Sequence, residues 1–182
     1  MASNKTQEGP MKQICRSCKS DLNTIQEQSS QFNITGGICI SCKNKVSKIG
    51  DSTNSRKILE TIDAPVLLMQ PEPRQVYTAN NKALELFGKD LSQTEGYRGG
   101  EVFDCVLSLT EAGCGKDVNC ENCKIKNAIV ETFASGRSFE GVSTSLKIKK
   151  GGEINTYLLE ISTERVGDLA LVKIEQYKQL FV

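Results

Sequence analysis

A chain of 182 residues can hold one ordinary domain and a smaller appendage, and is too short for a kinase or polymerase core beside a second full domain. With 38% hydrophobic and 25% charged residues it has the composition of a soluble globular protein, and a formal net charge of +1 argues against a strong general polyanion binder. Histidine is absent, which excludes Ser-His-Asp and Cys-His arrangements, His-ligated haem or zinc and a phospho-accepting histidine; any metal must be held mainly by the eight cysteines.

Residues 1–11 are polar and read as a frayed tail without the apolar stretch of a secretory leader. No apolar run approaches the ~20 residues of a membrane span, so the cysteines are expected to face a reducing cytoplasm, where paired hooks serve as metal ligands or redox groups. Ile14-Cys15-Arg16-Ser17-Cys18-Lys19 and Ile38-Cys39-Ile40-Ser41-Cys42-Lys43 repeat one Cys-x-x-Cys pattern, with 20 residues between Cys18 and Cys39. Each tight turn brings two sulfurs to one ion, and two turns complete a tetrahedron. Cys15, Cys18, Cys39 and Cys42 are therefore expected to bind zinc in a small zinc-ribbon-like module over 12–46. Its spacer, Ser20 to Thr35, is too polar to build a core, so metal would supply much of the folding energy. The first 50 residues carry seven Lys or Arg against three acids, an excess of +4 that largely balances four thiolates around a divalent ion.

These two hooks, with Phe32-Asn-Ile-Thr-Gly-Gly-Ile-Cys39 leading into the second, resemble a cysteine-rich segment attached to bacterial sensor kinases and response regulators. Members commonly have His-Gly-Ile-Cys there; this chain has Gly36-Gly37-Ile38-Cys39, so a role for that histidine is lost while the four cysteines remain.

A polar linker is placed at 47–57, and Ser55 to Ile62 has a helical face of Ile58, Leu59 and Ile62, either a connecting helix or the seam of a homodimer. Strands are expected at Pro65 to Gln70 and Gln75 to Ala79. Asn80 then caps a helix that Gly88 stops, and Lys89 to Gly100 reads as loop, broken by Gly96, Gly99 and Gly100. Ile125, Ala128, Ile129 and Phe133 mark a second helix closed by Gly136. Phe139 to Lys149, Ile154 to Ser162 and Leu169 to Tyr177 form an antiparallel meander around turns at Gly151-Gly152 and Gly167-Asp168.

The order of these elements, with "PVLLMQPEPRQVYTANNKALELFG" and "AIVETFASGRSFEG", resembles a PAS domain over about residues 55–177, set at 58–178 as a domain. The resemblance implies an α+β fold, an antiparallel sheet with flanking helices, that senses a signal and passes it on through protein contacts. Gly100-Glu-Val-Phe-Asp-Cys105 does not match the flavin-adduct motif of one PAS type, and the haem type needs histidine.

Between the two halves lie Cys105, Cys114, Cys120 and Cys123, with eight, five and two intervening residues, so that only the last pair is a hook. Gly113 and Gly115 give the loop freedom to wrap an ion, and the helix after Cys123 offers N–H groups that favour thiolate. "GGEVFDC" and "GCGKDVNCENCKIKNAI" look like a cysteine-bearing PAS subgroup of bacterial sensors. Three readings stay open: structural zinc, an iron–sulfur cluster acting as a redox sensor, or a dithiol/disulfide switch at Cys120 and Cys123. Glu101 and Asp104 read as solvated charges rather than an acid/base pair, and no enzyme activity is expected.

The combined expectation is a cytoplasmic bacterial sensor without its own output domain, signalling to a kinase or regulator, with homodimerisation an option and neither membrane nor nucleic acid as partner. The alternative is a zinc-ribbon adaptor on a nucleic-acid or transcription complex, with the PAS domain as scaffold; near-neutral charge weighs against it.

Overall fold

The computed structural model describes residues 52–181. The expected tail at 1–11, the four-cysteine module at 12–46 with Cys15, Cys18, Cys39 and Cys42, and the first part of the 47–57 linker lie outside the described residues.

Helix α1 (Ser52–Leu59) starts three residues ahead of the Ser55 expected from apolar spacing and buries Ser55, Ile58 and Leu59. Strands β1 (Val66–Met69) and β2 (Val76–Ala79) follow, then α2 (Asn81–Phe87), the short α3 (Gly99–Val102), α4 (Lys124–Ser135), and the long strands β3 (Phe139–Lys150), β4 (Glu153–Val166) and β5 (Leu169–Gln179). All five strands join one antiparallel sheet in the order β2-β1-β5-β4-β3, so β1, early in the chain, pairs with the last strand. This is the α+β architecture, an antiparallel sheet with flanking helices, that the PAS resemblance implies.

The run Val66-Leu-Leu-Met69 is apolar throughout because β1 is covered on both faces, and all four residues are buried. Leu67 and Met69 enter the front core with Ile148, Leu159, Ile161, Val172 and Ile174, under Ala83 and Phe87 of α2, Val102 and Phe103, and Ile125 and Ile129 of α4. Val66 and Leu68 point to the back, where Ile58, Leu59 and Ile62 close a second core with Val166, Leu169 and Leu171.

Asn80 joins these layers. Its carboxamide is fully buried; Oδ1 accepts from Val66 N at 3.0 Å and from Ala83 N at 3.1 Å, while Nδ2 donates to Ala64 O at 2.8 Å and Leu59 O at 3.4 Å. One side chain thus caps α2, as its sequence position predicts, and also fixes the start of β1 and the end of α1. On the far side, α4 is pinned to β4 by a buried hydroxyl pair, Thr132 and Thr163, 2.6 Å apart.

A bulge interrupts the β4/β5 ladder. Glu160 faces Gln176 and Ile161 faces Ile174, so Glu175 is an extra residue, and Ile174 and Tyr177 both pack on the front core although they are three apart.

The stretch Lys89 to Gly100, expected as loop, holds more structure. A 3-10 turn at Leu91–Gln93 is closed by reciprocal caps, Gln93 N to Asp90 Oδ1 at 3.0 Å and Asp90 N to Gln93 Oε1 at 3.1 Å. The glycines at 99 and 100 open α3 rather than break it, because the Glu101 carboxylate accepts from Arg98 N at 2.6 Å and Val102 and Phe103 are drawn into the core. Tertiary packing outweighs the helix cost of glycine here.

Candidate metal centre

The four central cysteines come from separate stretches of chain and line one cavity of about 230 Å³ between α3, α4 and β3. None is in a disulfide. Cys105 follows Asp104, whose φ of 58° is left-handed; its N–H donates to Gly100 O at 2.8 Å, and it forms an isolated bridge with Ile148 of β3. Lys89 fixes this turn, its Nζ lying 2.7 Å from Asp104 Oδ1 and 2.5 Å from Glu101 O. Cys114 lies between Gly113 and Gly115, both left-handed, with φ of 76° and 79°. Cys120 ends a 3-10 turn that begins when Asp117 accepts from Asn119 N at 2.8 Å, and Cys123 occupies the N-cap position of α4.

Gly100 determines how close Cys114 can come. Its N–H donates to Cys114 Sγ at 3.2 Å, and a Cβ built on Gly100 would stand only 2.5 Å from that sulfur. Hydrogen bonds of this kind satisfy a sulfur that carries negative charge.

Burial pushes the Cys105 and Cys114 thiols upward from the ordinary thiol range, and the neighbouring cysteine sulfurs add to the rise. Thiolates would form here as a metal displaces protons. Met69, Phe103, Leu107, Ile125 and Ile129 supply the apolar lining, while three cations, Arg74, Arg98 and Lys126, stand at the cavity near Gly115. Arg98 Nη1 donates to Cys114 O at 2.8 Å.

Cys105, Cys114, Cys120 and Cys123, with up to eight residues between one and the next, therefore share one site. Among the described residues, however, no three His, Cys, Asp or Glu side chains stand together as a ready ligand set for a single ion. Glu101 and Asp104, expected as solvated charges, act structurally: one caps α3 and the other pairs with Lys89. Gly100, Arg74, Arg98 and Lys126 escaped sequence reasoning. The Gly99-Gly100 pair was the available signal, but it reads equally well as a helix breaker.

No helix among the described residues is long and apolar enough to cross a membrane. No protein-family model matches the chain, and no curated protein matches it. Among solved structures, the chain is similar to the Rhodobacter sphaeroides LOV protein, at 14% identity, covering 79% of this chain and 69% of that one, with a TM-score of 0.44. It is similar to the PAS domain, in complex with ethanol, of a LuxR-family transcriptional regulator from Burkholderia thailandensis, at 11% identity, 72% and 98% coverage and a TM-score of 0.41. A variant of Vivid gives 11% identity, 88% and 96% coverage and a TM-score of 0.42. None of these likenesses assigns a ligand or an activity to this chain.

Proposed function

We propose that the described domain is a sensor whose reporter is an iron–sulfur cluster held by Cys105, Cys114, Cys120 and Cys123, in a cytoplasmic bacterial protein that signals through contacts with a kinase or regulator. The observation that carries this reading is that all four cysteines line one cavity of about 230 Å³. A cluster distributes its thiolates around an inorganic core and accepts irregular spacing in sequence. The fit is supported by the all-sulfur donor set, the apolar lining and the Gly100 N–H directed at Cys114 Sγ.

Bound there, a cluster would supply one-electron redox chemistry. The chain's own residues shield the site from water, orient the sulfurs and tie the site to the sheet. Cys105 is bridged to Ile148, and Lys149 N donates to Asp104 O at 3.0 Å, so a shift of Cys105 bears directly on β3. Zinc at Cys15, Cys18, Cys39 and Cys42 remains part of the proposal on the strength of their spacing.

Anaerobic purification of the full chain, with iron, sulfide and zinc analysis and a visible spectrum, tests both assignments. The expected result is a brown protein with iron, acid-labile sulfide and one zinc per chain, from which Cys114→Ser and Cys120→Ser remove the iron and leave the zinc. A colourless protein with two zinc ions per chain would overturn the cluster.

A further inference from the structure

The cysteine cavity is bordered by an unusual concentration of positive charge. A Cβ placed on Gly115 would lie 3.3 Å from Arg74 Nη2, 3.4 Å from Arg98 Nη1 and 3.8 Å from Lys126 Cδ, so three cationic side chains converge on the turn between Cys114 and Cys120. Like charges gathered at one turn repel one another, and the cost grows where they border a protein cavity. The nearby acids do little to offset it. Arg74 Nη1 is 3.3 Å from Glu72 Oε1, but the Glu72 side chain is 73% exposed, so the pair is screened by water. Glu101 accepts from the backbone of Arg98 rather than its guanidinium, and Arg98 Nη1 is directed to the carbonyl of Cys114. Among the described residues, neither the Arg98 guanidinium nor Lys126 has a carboxylate in ion-pair range. Arg74 is also one of two non-glycine residues with left-handed φ among the described residues, at 60°; the other, Asp104, precedes Cys105. Both unfavourable backbone conformations therefore flank the cysteine cavity.

We propose that Arg74, Arg98 and Lys126 are the counter-charge of a metal–thiolate centre, retaining the metal and favouring the more negatively charged of its redox states. Four thiolates around a divalent ion leave a net charge of about −2, which matches the uncompensated cations at the rim. An iron–sulfur core under four thiolates is likewise negative, and uptake of one electron makes it more so. Fixed cations close to the sulfurs raise its potential. These are positioning and tuning residues, because they act on the centre through charge and through the Cys114 backbone. The redox part rests on the iron–sulfur reading, whereas metal retention requires only that the four cysteines bind a metal.

The test compares the full wild-type chain with an Arg74→Gln/Arg98→Gln variant, which removes charge, and an Arg74→Lys/Arg98→Lys variant, which keeps it. Metal at the site is measured as the difference from a Cys114→Ser/Cys120→Ser chain. Its loss to a chelator is followed, and the iron-loaded form is titrated with dithionite as the one-electron donor. The Gln variant is expected to lose metal at least tenfold faster and to bind the added electron at least tenfold less favourably, a midpoint about 59 mV lower. The Lys variant is expected to stay within about threefold of wild type, an outcome that a purely structural role for the guanidinium forks would not give. Equal metal loss and equal potentials in wild type and the Gln variant would overturn the proposal, as would a Lys variant impaired as much as Gln. If wild type holds zinc at the site, the cluster reading fails while the retention arm still decides the charge proposal. If it takes up no metal there, both fall.

Discussion

Gly100→Ala isolates the close approach on which the site depends. Its added Cβ would stand 2.5 Å from Cys114 Sγ, 3.1 Å from Cys114 Cβ and 3.6 Å from Cys105 Cβ. Ordinary contacts begin near 3.5 Å, so the sulfur must retreat by about 1 Å. Backbone strain does not enter, since Gly100 is not among the left-handed glycines. Overpacking of this kind costs about 1–3 kcal/mol, and the helix preference of alanine over glycine returns at most about 1 kcal/mol. The metal-free domain is thus expected to lose about 0–3 kcal/mol. Metal ligation tolerates only about 0.2 Å of misplacement, so a shift of this size should reduce metal at the central site to less than half of wild type. Gly99→Ala is the matched control, one residue away in the same helix. Its Cβ would meet the Phe103 ring at 3.5 Å and Met69 Cε at 4.0 Å, which are ordinary contacts. That variant should keep its metal and gain up to about 1 kcal/mol. Metal per chain after anaerobic reconstitution, with thermal melts of the metal-free proteins, compares the two. If Gly100→Ala retains wild-type metal and melts alongside Gly99→Ala, Gly100 does not set the position of Cys114.

Asn80→Ala removes an N-cap and leaves the Val66 N–H and Ala64 carbonyl without their buried partner, so denaturant unfolding should show a loss of about 2–4 kcal/mol, and a loss below 1 kcal/mol would contradict the described network. Replacing Thr132 or Thr163 alone by valine orphans the other hydroxyl and should cost about 1–3 kcal/mol, whereas the double valine variant should recover most of it; additive losses would show that the hydroxyls are not paired. Tyr177→Phe should leave stability at pH 7 unchanged or up to about 1 kcal/mol higher, because the Tyr177 hydroxyl is buried with no hydrogen-bond partner among the described residues. Burial, then Tyr157 and Asp104, hold that phenol above its ordinary range, so the folded state keeps a proton that the unfolded chain gives up above pH of about 10. Stability is therefore untouched by this group below that pH and falls as pH rises further, so the alkaline slope in denaturant titrations should be shallower in Tyr177→Phe, and identical slopes would reject the assignment.

The elements were legible where local rules and burial agree. Asn80 and Gly88 bound α2 as their types predict, Gly136 closes α4 in a left-handed C-cap, and Gly151-Gly152 turns β3 into β4. Alternation failed at Tyr177, because the extra residue Glu175 in the β5 bulge returns it to the front face, and bulges leave no mark in a hydrophobic pattern. The gathering of the four central cysteines was anticipated from their number and chemistry, but the distance between sulfurs depends on how α3 and the loop pack, which spacing along the chain does not encode. The same holds for Gly100. Read alone it breaks a helix, and only the sulfur packed against its open side explains why a side chain is missing there. The cationic rim was hidden because Arg74, Arg98 and Lys126 lie far apart in sequence and meet only in the fold.

Strand β1 has a consequence beyond stability. Met69 lines the cysteine cavity while its neighbour Leu68 packs beneath α1, so one peptide unit separates the proposed sensing site from the helix that follows the N-terminal four-cysteine segment in the chain. Linkage between two such sites is reciprocal: whatever factor occupancy of the cavity applies to the docking of α1, the docking of α1 applies to affinity at the cavity. A ligand or partner that pulls on α1 would then be read as a change in metal retention some distance away.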